Sequence, residues 1–558
     1  MKVSQIPYVR YTLEDLQSAY AKIKEMLQNA KCADDVLKAH DLMNEVSIEY
    51  GTAASLAHCR FTLNTKDEFY QGEVAYYDEI GPLAQQMMTE YAVTLLDSPY
   101  RTELETKINP RMFKQFEISR KSFHPAIIPE LQEENNITTE YSKFMSEMVF
   151  EYNGEKMPLS RLRGGLEDDD REVRRATAEA IGRGLAANAA ELDDIYDRLV
   201  KIRDKMAKKL GYENFVELGY YRMGRLDYNA EMVKKFRENV KEALVPCVSK
   251  IKKDLANELG IDNFMYYDDA IYVNGKSPRP ILDKDGIFAA AIEMYDSMNP
   301  EVGAFMRSMQ ENEAFDVESR DGKWGGGYCT TFPKYKQPFI LANFNGSAGD
   351  IDVMTHEFGH ALAGYYVFNG GDINVNYGME TAECHSMSME FFSWKYMDKF
   401  FGDAAEAYKK SHLLSSLSFI PYGVIVDEYQ HNVYENPDMT PAERKAMYLT
   451  LEEKYRPYLS FEGIPYLEEG TRWQYQMHIY ESPFYYIDYC LAQTVAINFL
   501  LASIENYDEA FSKYLDFVKA GGTKAFGQLV VDASIPSPFT EGSLDTMAEK
   551  VLKVVESL

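Results

Sequence analysis

The segment His356-Glu357-Phe358-Gly359-His360 reads H-E-x-x-H. On a helix, residues four apart share a face, so two imidazoles can reach one zinc ion while the glutamate beside the first acts on water there. Zinc held by neutral imidazoles lowers the pKa of water from about 16 to about 7 and polarises a carbonyl. That chemistry suits a peptide bond, which resists hydrolysis because water is a poor nucleophile and an amine a poor leaving group. Glu357 would take the water proton and deliver it to the departing amine. A chance match competes with this reading, but the chain holds only nine histidines in 558 residues and the motif falls in a segment of helical pattern. Two histidines do not complete such a site; a third protein ligand is needed, with one position left open.

The elements that must position these groups follow from local signals. The motif helix is predicted to start near Asp350, a candidate N-cap, with Asp352 in its first turn. It should run to about Phe368 and stop at Asn369-Gly370-Gly371. A second helix is expected over Met379–Phe392, where Met379, Ala382, Met387, Glu390 and Phe391, with Trp394 beyond, give a mostly buried pattern. Glu380, Glu383 and Glu390 on such a helix call for a metal or a charged partner. Spacing alone leaves Glu380, Glu383, Cys384 and His385 open as the third ligand.

H-E-F-G-H followed some two dozen residues later by E-x-x-S-x-x-x-E resembles the thimet oligopeptidase and oligoendopeptidase F family of zinc peptidases. The resemblance implies that Glu383 is the third zinc ligand, matched by Ser386 and Glu390, and that Glu390 orients a zinc histidine. It also covers Lys323-Trp324-Gly325-Gly326-Gly327-Tyr328-Cys329-Thr330 and Pro338 to Phe344, similar to the strand pair before the family's zinc helix. Read from the residues, that pair is either a hairpin covering one end of the helix or an edge that holds an extended peptide by main-chain hydrogen bonds; the family favours the second.

A further cluster runs from His478 through Ser482-Pro483 to Tyr489. Ser482 and Pro483 predict a helix start there, with Tyr486 and Tyr489, or Tyr485 and Tyr489, on one face. Phenol hydroxyls can donate to the oxyanion formed when water attacks a carbonyl, although with 41 tyrosines in the chain a buried tyrosine pair is also ordinary core. The family places a histidine and a tyrosine-rich helix beside the zinc, which points to His478, Tyr486 and Tyr489.

Most of the remaining chain shows three-to-four-residue apolar periodicity, as in Leu13 to Leu27, Asp170 to Leu210 and Leu544 to Val555. A mainly α fold is expected, with a small β element beside the zinc helix. Polar Glu151 to Lys156 and acidic Glu167-Asp168-Asp169-Asp170 are candidate boundaries, dividing an N-terminal helical lobe, 1–158, from a catalytic region, 159–558. The resemblance, running with gaps from about Leu159 to Ile535, implies an elongated two-lobed molecule with a deep substrate channel. The zinc helix would form its floor and N-terminal helices the opposing wall. No signal peptide and no apolar stretch of membrane-spanning length is read from the sequence. Six scattered cysteines suggest free thiols in a reducing cytosol. A net charge of −29 argues against nucleic acid or an anionic membrane as partner. It would favour cationic peptides by steering, or serve solubility alone.

These readings converge on a cytoplasmic zinc endopeptidase of short unfolded oligopeptides, with one zinc ion per chain. His356, His360 and Glu383 are its ligands, Glu357 its general base and acid, and Tyr486, Tyr489 and His478 its transition-state donors. Sequence leaves the oligomeric state, the cleavage preference and the physiological peptides open. Three alternatives remain. One is a dipeptidyl carboxypeptidase of the same family, for which no carboxylate-holding site is visible, and another is a peptide-binding protein without activity. The third is a carboxylate-bridged di-iron oxidase built on Glu357-x-x-His360 and Glu428-x-x-His431 with Glu383 and Glu390.

Overall fold

The computed structural model describes residues 1–369 and 377–558. Helices hold 73 % of the residues, so the chain is mainly α as expected. Two compact units are each assembled from three stretches. The first comprises Met1–Phe123, Arg279–Gly402 and Ala502–Ile535, the second His124–Pro278, Asp403–Leu501 and Pro536–Leu558. Each unit therefore takes chain from both sides of residue 158.

The first unit opens with helices whose starts are written locally. Thr12 and Asp15 form a reciprocal capping box for Leu13–Asn29, and Asp67 accepts the Phe69 and Tyr70 N–H groups at the head of Glu68–Leu96. With Ala33–Leu63 between them, these helices close over Leu16, Ile23, Val36, Met43, Tyr91 and Leu95. The same unit contains a three-stranded sheet with Gln337–Phe344 in the centre. Tyr328–Phe332 lies antiparallel on one side (Tyr328 opposite Leu341, Phe332 opposite Gln337) and Phe315–Glu318 lies parallel on the other. The expected strand pair is present, and the parallel third strand is an addition. Six successive residues of the central strand are buried, as befits a strand covered on both faces. The motif helix, Gly349–Asn369, packs directly against this sheet. Asp350 sits inside its first turn and accepts the N–H groups of Asn345 (2.9 Å) and Gly346 (2.8 Å), so it ties down the approaching turn rather than capping the helix. The helix is described as far as Asn369, and the predicted stop at Asn369-Gly370-Gly371 runs into residues outside those described.

In the second unit, Asp170 caps Arg171–Ala186, and Ala189–Lys209 runs up to Leu210 and a left-handed Gly211 (φ 88°). The polar stretch from Glu151 to Lys156 forms a hairpin, Phe150–Tyr152 with Glu155–Met157. Its loop, Asn153-Gly154, takes φ 52° and 80°. Two positive values in succession make the mirror-image turn that Asn-Gly favours. The helix carrying the tyrosines runs Tyr486–Glu505, and here the sequence reading needs correction twice. At a mean hydropathy of 1.5 it is long and apolar enough to cross a membrane, yet 78 % of that stretch is buried. A helix apolar all round and covered on its faces is a core helix. It also starts a turn later than Ser482-Pro483 suggests. Phe484 is driven into the core against Phe215, Tyr220 and Tyr434, its N–H donating to Gln430 Oε1 and its carbonyl accepting from Arg225, and the resulting φ of 68° interrupts the helix.

Candidate metal centre

His356 and His360 share one face of the motif helix, with ring centroids 5.0 Å apart. Glu383 meets them from the second helix, Met379–Phe392, whose ends coincide with those expected. Its Oε2 is 3.3 Å from His356 Nε2 and 3.5 Å from His360 Nε2. The three ligand atoms lie within 4.8 Å of one another. Two imidazole nitrogens and a carboxylate oxygen are a donor set that suits a catalytic zinc. Behind them, His356 Nδ1 donates to Glu390 Oε1 at 2.6 Å. That bond fixes the ring's orientation and leaves Nε2 as its ligand atom. Ser386 Oγ donates to Glu383 Oε2 at 3.1 Å. Glu380 does not join this group. It is buried at the head of its own helix, folded over Gly378 and accepting from Thr381 Oγ1 at 3.2 Å. Cys384 is buried, and His385 packs between Tyr377 and Phe517.

The two helices can approach this closely because of Gly359. A Cβ there would stand 2.6 Å from the His385 carbonyl oxygen and 2.6 Å from Ser386 Cα. These are backbone atoms, and the carbonyl is further held by Tyr514 Oη at 2.7 Å, so nothing can rotate away. Phe358, on the opposite face, stacks on Tyr295 at 3.9 Å and anchors the helix to its unit. Gly359→Ala should therefore cost about 1–3 kcal/mol through overpacking, more than the ~1 kcal/mol alanine gains as a helix former. It should also weaken metal binding by on the order of tenfold as Glu383 is displaced. Calorimetric melting and competitive metal titration measure both, and an unchanged variant would mean the helices have slack.

Charge in this pocket is set by burial working against pairing. Burial pushes the Glu357 carboxyl up, and the two imidazoles pull it partly back. Glu383 is also pushed up by burial, but His360 and His356 outweigh this and hold it well below the usual carboxylate range. Burial works against protonation of His356, yet its bonds to Glu383 and Glu390 raise it well above an ordinary imidazole. A divalent cation held by these groups would displace those protons. Burial, and then the charge of Glu357, pushes the thiol of Cys329 on the edge strand well up.

The His478–tyrosine cluster belongs to the second unit. His478, on the short helix Met477–Glu481, has its ring centroid 5.7 Å from Tyr485, 5.1 Å from Tyr486 and 5.9 Å from Tyr489. The structure thus gathers all three candidate tyrosines around one imidazole. It adds residues that sequence reading missed. Tyr422 Oη donates to Gln476 Oε1 at 2.6 Å, and Gln476 Nε2 stands 2.9 Å from His478 Nδ1. Gln476 thus bridges Tyr422 and His478. Tyr422 comes from the helix Ala405–Glu435, distant in sequence, and no local signal links it to His478.

The second E-x-x-H pair serves other purposes in the same unit. Glu428 accepts from Lys454 Nζ at 2.7 Å and from Tyr455, while His431 Nε2 bonds Tyr220 Oη at 3.0 Å. Among the described residues, the donor group that could hold a metal ion is His356, His360 and Glu383.

Comparison with known proteins finds several matches over most of the chain. The profile of the peptidase M3 N-terminal domain matches residues 3–123, and that of peptidase family M3 matches 166–284 and 288–549. Oligopeptidase PepF of Bacillus subtilis is 22 % identical over 588 aligned positions, spanning 96 % of this chain and 85 % of its own. The structure of PZ peptidase A with an inhibitor superposes with a TM-score of 0.94 at 40 % identity, over 100 % of this chain and 99 % of that one. Oligoendopeptidase F from Enterococcus faecium shares the fold, with a TM-score of 0.64 at 16 % identity over 98 % of each chain.

Proposed function

Because the chain belongs to peptidase family M3, we propose that it is a zinc-dependent endopeptidase hydrolysing internal bonds of short, unfolded oligopeptides in the cytoplasm. The observation that carries this reading is the convergence of His356, His360 and Glu383 next to the buried carboxyl of Glu357. One zinc ion per chain, held by those three side chains, would supply the Lewis acidity that acidifies water and polarises the scissile carbonyl. Glu357 takes the water proton and passes it to the departing amine. Glu390 and Ser386 keep His356 and Glu383 in place while charge moves. Tyr486, Tyr489 and His478 would act as donors to the developing oxyanion. The strand Tyr328–Phe332 has the central strand on one side and no further strand on the other among the described residues. Such an edge suits an extended peptide held by main-chain hydrogen bonds.

The purified protein should carry one zinc per chain and cut a mixed peptide library internally, with both new ends visible by mass spectrometry. Release of C-terminal dipeptides alone would make it a dipeptidyl carboxypeptidase. Zinc without cleavage would leave a peptide-binding protein, and two irons an oxidase. In the same assay Tyr489→Phe should lower kcat about 100-fold with little change in KM, the cost of one oxyanion donor. An unchanged kcat would return Tyr489 to the core.

A further inference from the structure

The turn that leads into the tyrosine helix is strained, and one buried arginine holds it. Phe484 adopts a φ of 68°, a left-handed conformation that a bulky residue rarely takes. Such a residue persists only where its surroundings over-determine it, and strain of this kind gathers at functional sites. Two side chains from distant parts of the second unit do the holding. Gln430 Oε1 accepts the Phe484 N–H at 3.0 Å, and Arg225 Nη2 donates to the Phe484 carbonyl. The same Nη2 donates to Asp488 Oδ1 at 2.9 Å, an oxygen that also accepts from Tyr228 Oη. Arg225 is itself fixed, with Nε donating to Tyr228 Oη at 3.0 Å and Cζ 4.4 Å from the centroid of the Tyr220 ring. One guanidinium nitrogen thus joins the residue before Tyr485 to the residue before Tyr489.

Neither local sequence nor fold stability accounts for this bridge. Ser482 and Pro483 are good start signals, so an unopposed chain would wind the helix back through Phe484 and re-lay its first turn. The side chains of Arg225 and Asp488 are each only 1 % exposed. Burial pushes the Asp488 carboxyl up, and Arg225 draws it only part of the way back. A buried ion pair of this kind adds little net stability over apolar residues of similar size. What it does supply is a fixed register for the turn, and in that turn stand Tyr485, Tyr486 and Tyr489, gathered around His478.

We propose that Arg225 is a positioning residue: by tying the Phe484 carbonyl to Asp488 it fixes the first turn of the tyrosine helix and so aims Tyr486 and Tyr489 as oxyanion donors. The inference rests on the donor role given to those tyrosines above. It deepens that role, because a donor about 1 Å out of place can cost about 100-fold in rate.

Arg225→Met alone would strand a buried carboxylate and endanger the fold, so the test removes both partners. The double variant Arg225→Met/Asp488→Leu should keep wild-type zinc content and a KM within about threefold, while kcat falls about 30- to 100-fold. The telling measurement is Tyr489→Phe made in both backgrounds. In wild type it should cost about 100-fold in kcat; where the turn is already loose it should cost less than about threefold, since groups that act as a unit are not additive. That ratio is internal to each background, so altered folding or metal content does not imitate it. Tyr228→Phe keeps the ion pair and gives a milder background for the same cycle; it should lower kcat about fivefold and reduce the cost of Tyr489→Phe in proportion. A double variant with wild-type kcat, or a Tyr489→Phe cost that stays near 100-fold in both altered backgrounds, overturns the positioning role and returns Arg225 to the core. Tyr489→Phe without effect in wild type overturns instead the donor role on which the inference rests.

Discussion

Glu357→Gln should lower kcat about 1,000-fold while leaving zinc stoichiometry and KM close to wild type. Glutamine keeps the size and most of the polarity of the side chain, so the helix, the two imidazoles and the packing around them are undisturbed. What it removes is the ability to take a proton, and positioned proton transfer contributes roughly 100- to 10,000-fold. Three observations assign that task to Glu357. It follows His356 directly, it is only 9 % exposed, and burial pushes its carboxyl up, towards a stronger base. The alternative, that Glu357 only balances the charge of the imidazoles, is weakened by Glu383 and Glu390, which already pair with them. A base used only in the transition state changes kcat and kcat/KM together. Steady-state kinetics on a quenched peptide, with metal analysis of the same sample, would show this. Turnover within tenfold of wild type at full zinc occupancy would remove Glu357 from the proton path.

The legible parts of this chain are those whose information is local. H-E-x-x-H places its own groups through helical periodicity. Capping at Asp170 and the boundaries of Met379–Phe392 are likewise fixed by neighbours in sequence. What escaped depends on distant contacts. The helix at Ser482-Pro483 carries good start signals, yet it yields to the burial of Phe484 in a pocket formed by Phe215, Tyr220 and Tyr434. The strand Phe315–Glu318 is four residues long and gains its pairing from a partner some twenty-five residues on, too little pattern to read. The Asn153-Gly154 hairpin has a readable turn, but its strands are too short and polar to stand out beside it. In the site, the choice among Glu380, Glu383, Cys384 and His385 could not be made from spacing. Gly359 settles the crossing of the two helices, and that crossing turns Glu383 towards the histidines and Glu380 away from them.

That crossing supplies the second large effect. Glu383→Ala should weaken zinc binding by more than the roughly 10- to 100-fold typical of losing a group that merely supports a ligand, and activity at ordinary zinc concentrations should vanish with it. Glu380→Ala, three residues away on the same helix and equally buried, should leave zinc affinity within about twofold and lower only stability. The contrast is informative because both substitutions remove a buried carboxylate from one helix of the same unit, so a general loosening of the helix would affect both. Only direct ligation separates them. Glu383 is held by the two imidazoles, which keep its carboxyl deprotonated and aimed at the point between them. A carboxylate fixed in this way would need little further ordering to bind a metal ion. Competition with a chromophoric chelator measures both variants. Equal losses would show that packing rather than ligation sets affinity, and a larger loss for Glu380 would transfer the third ligand to that residue.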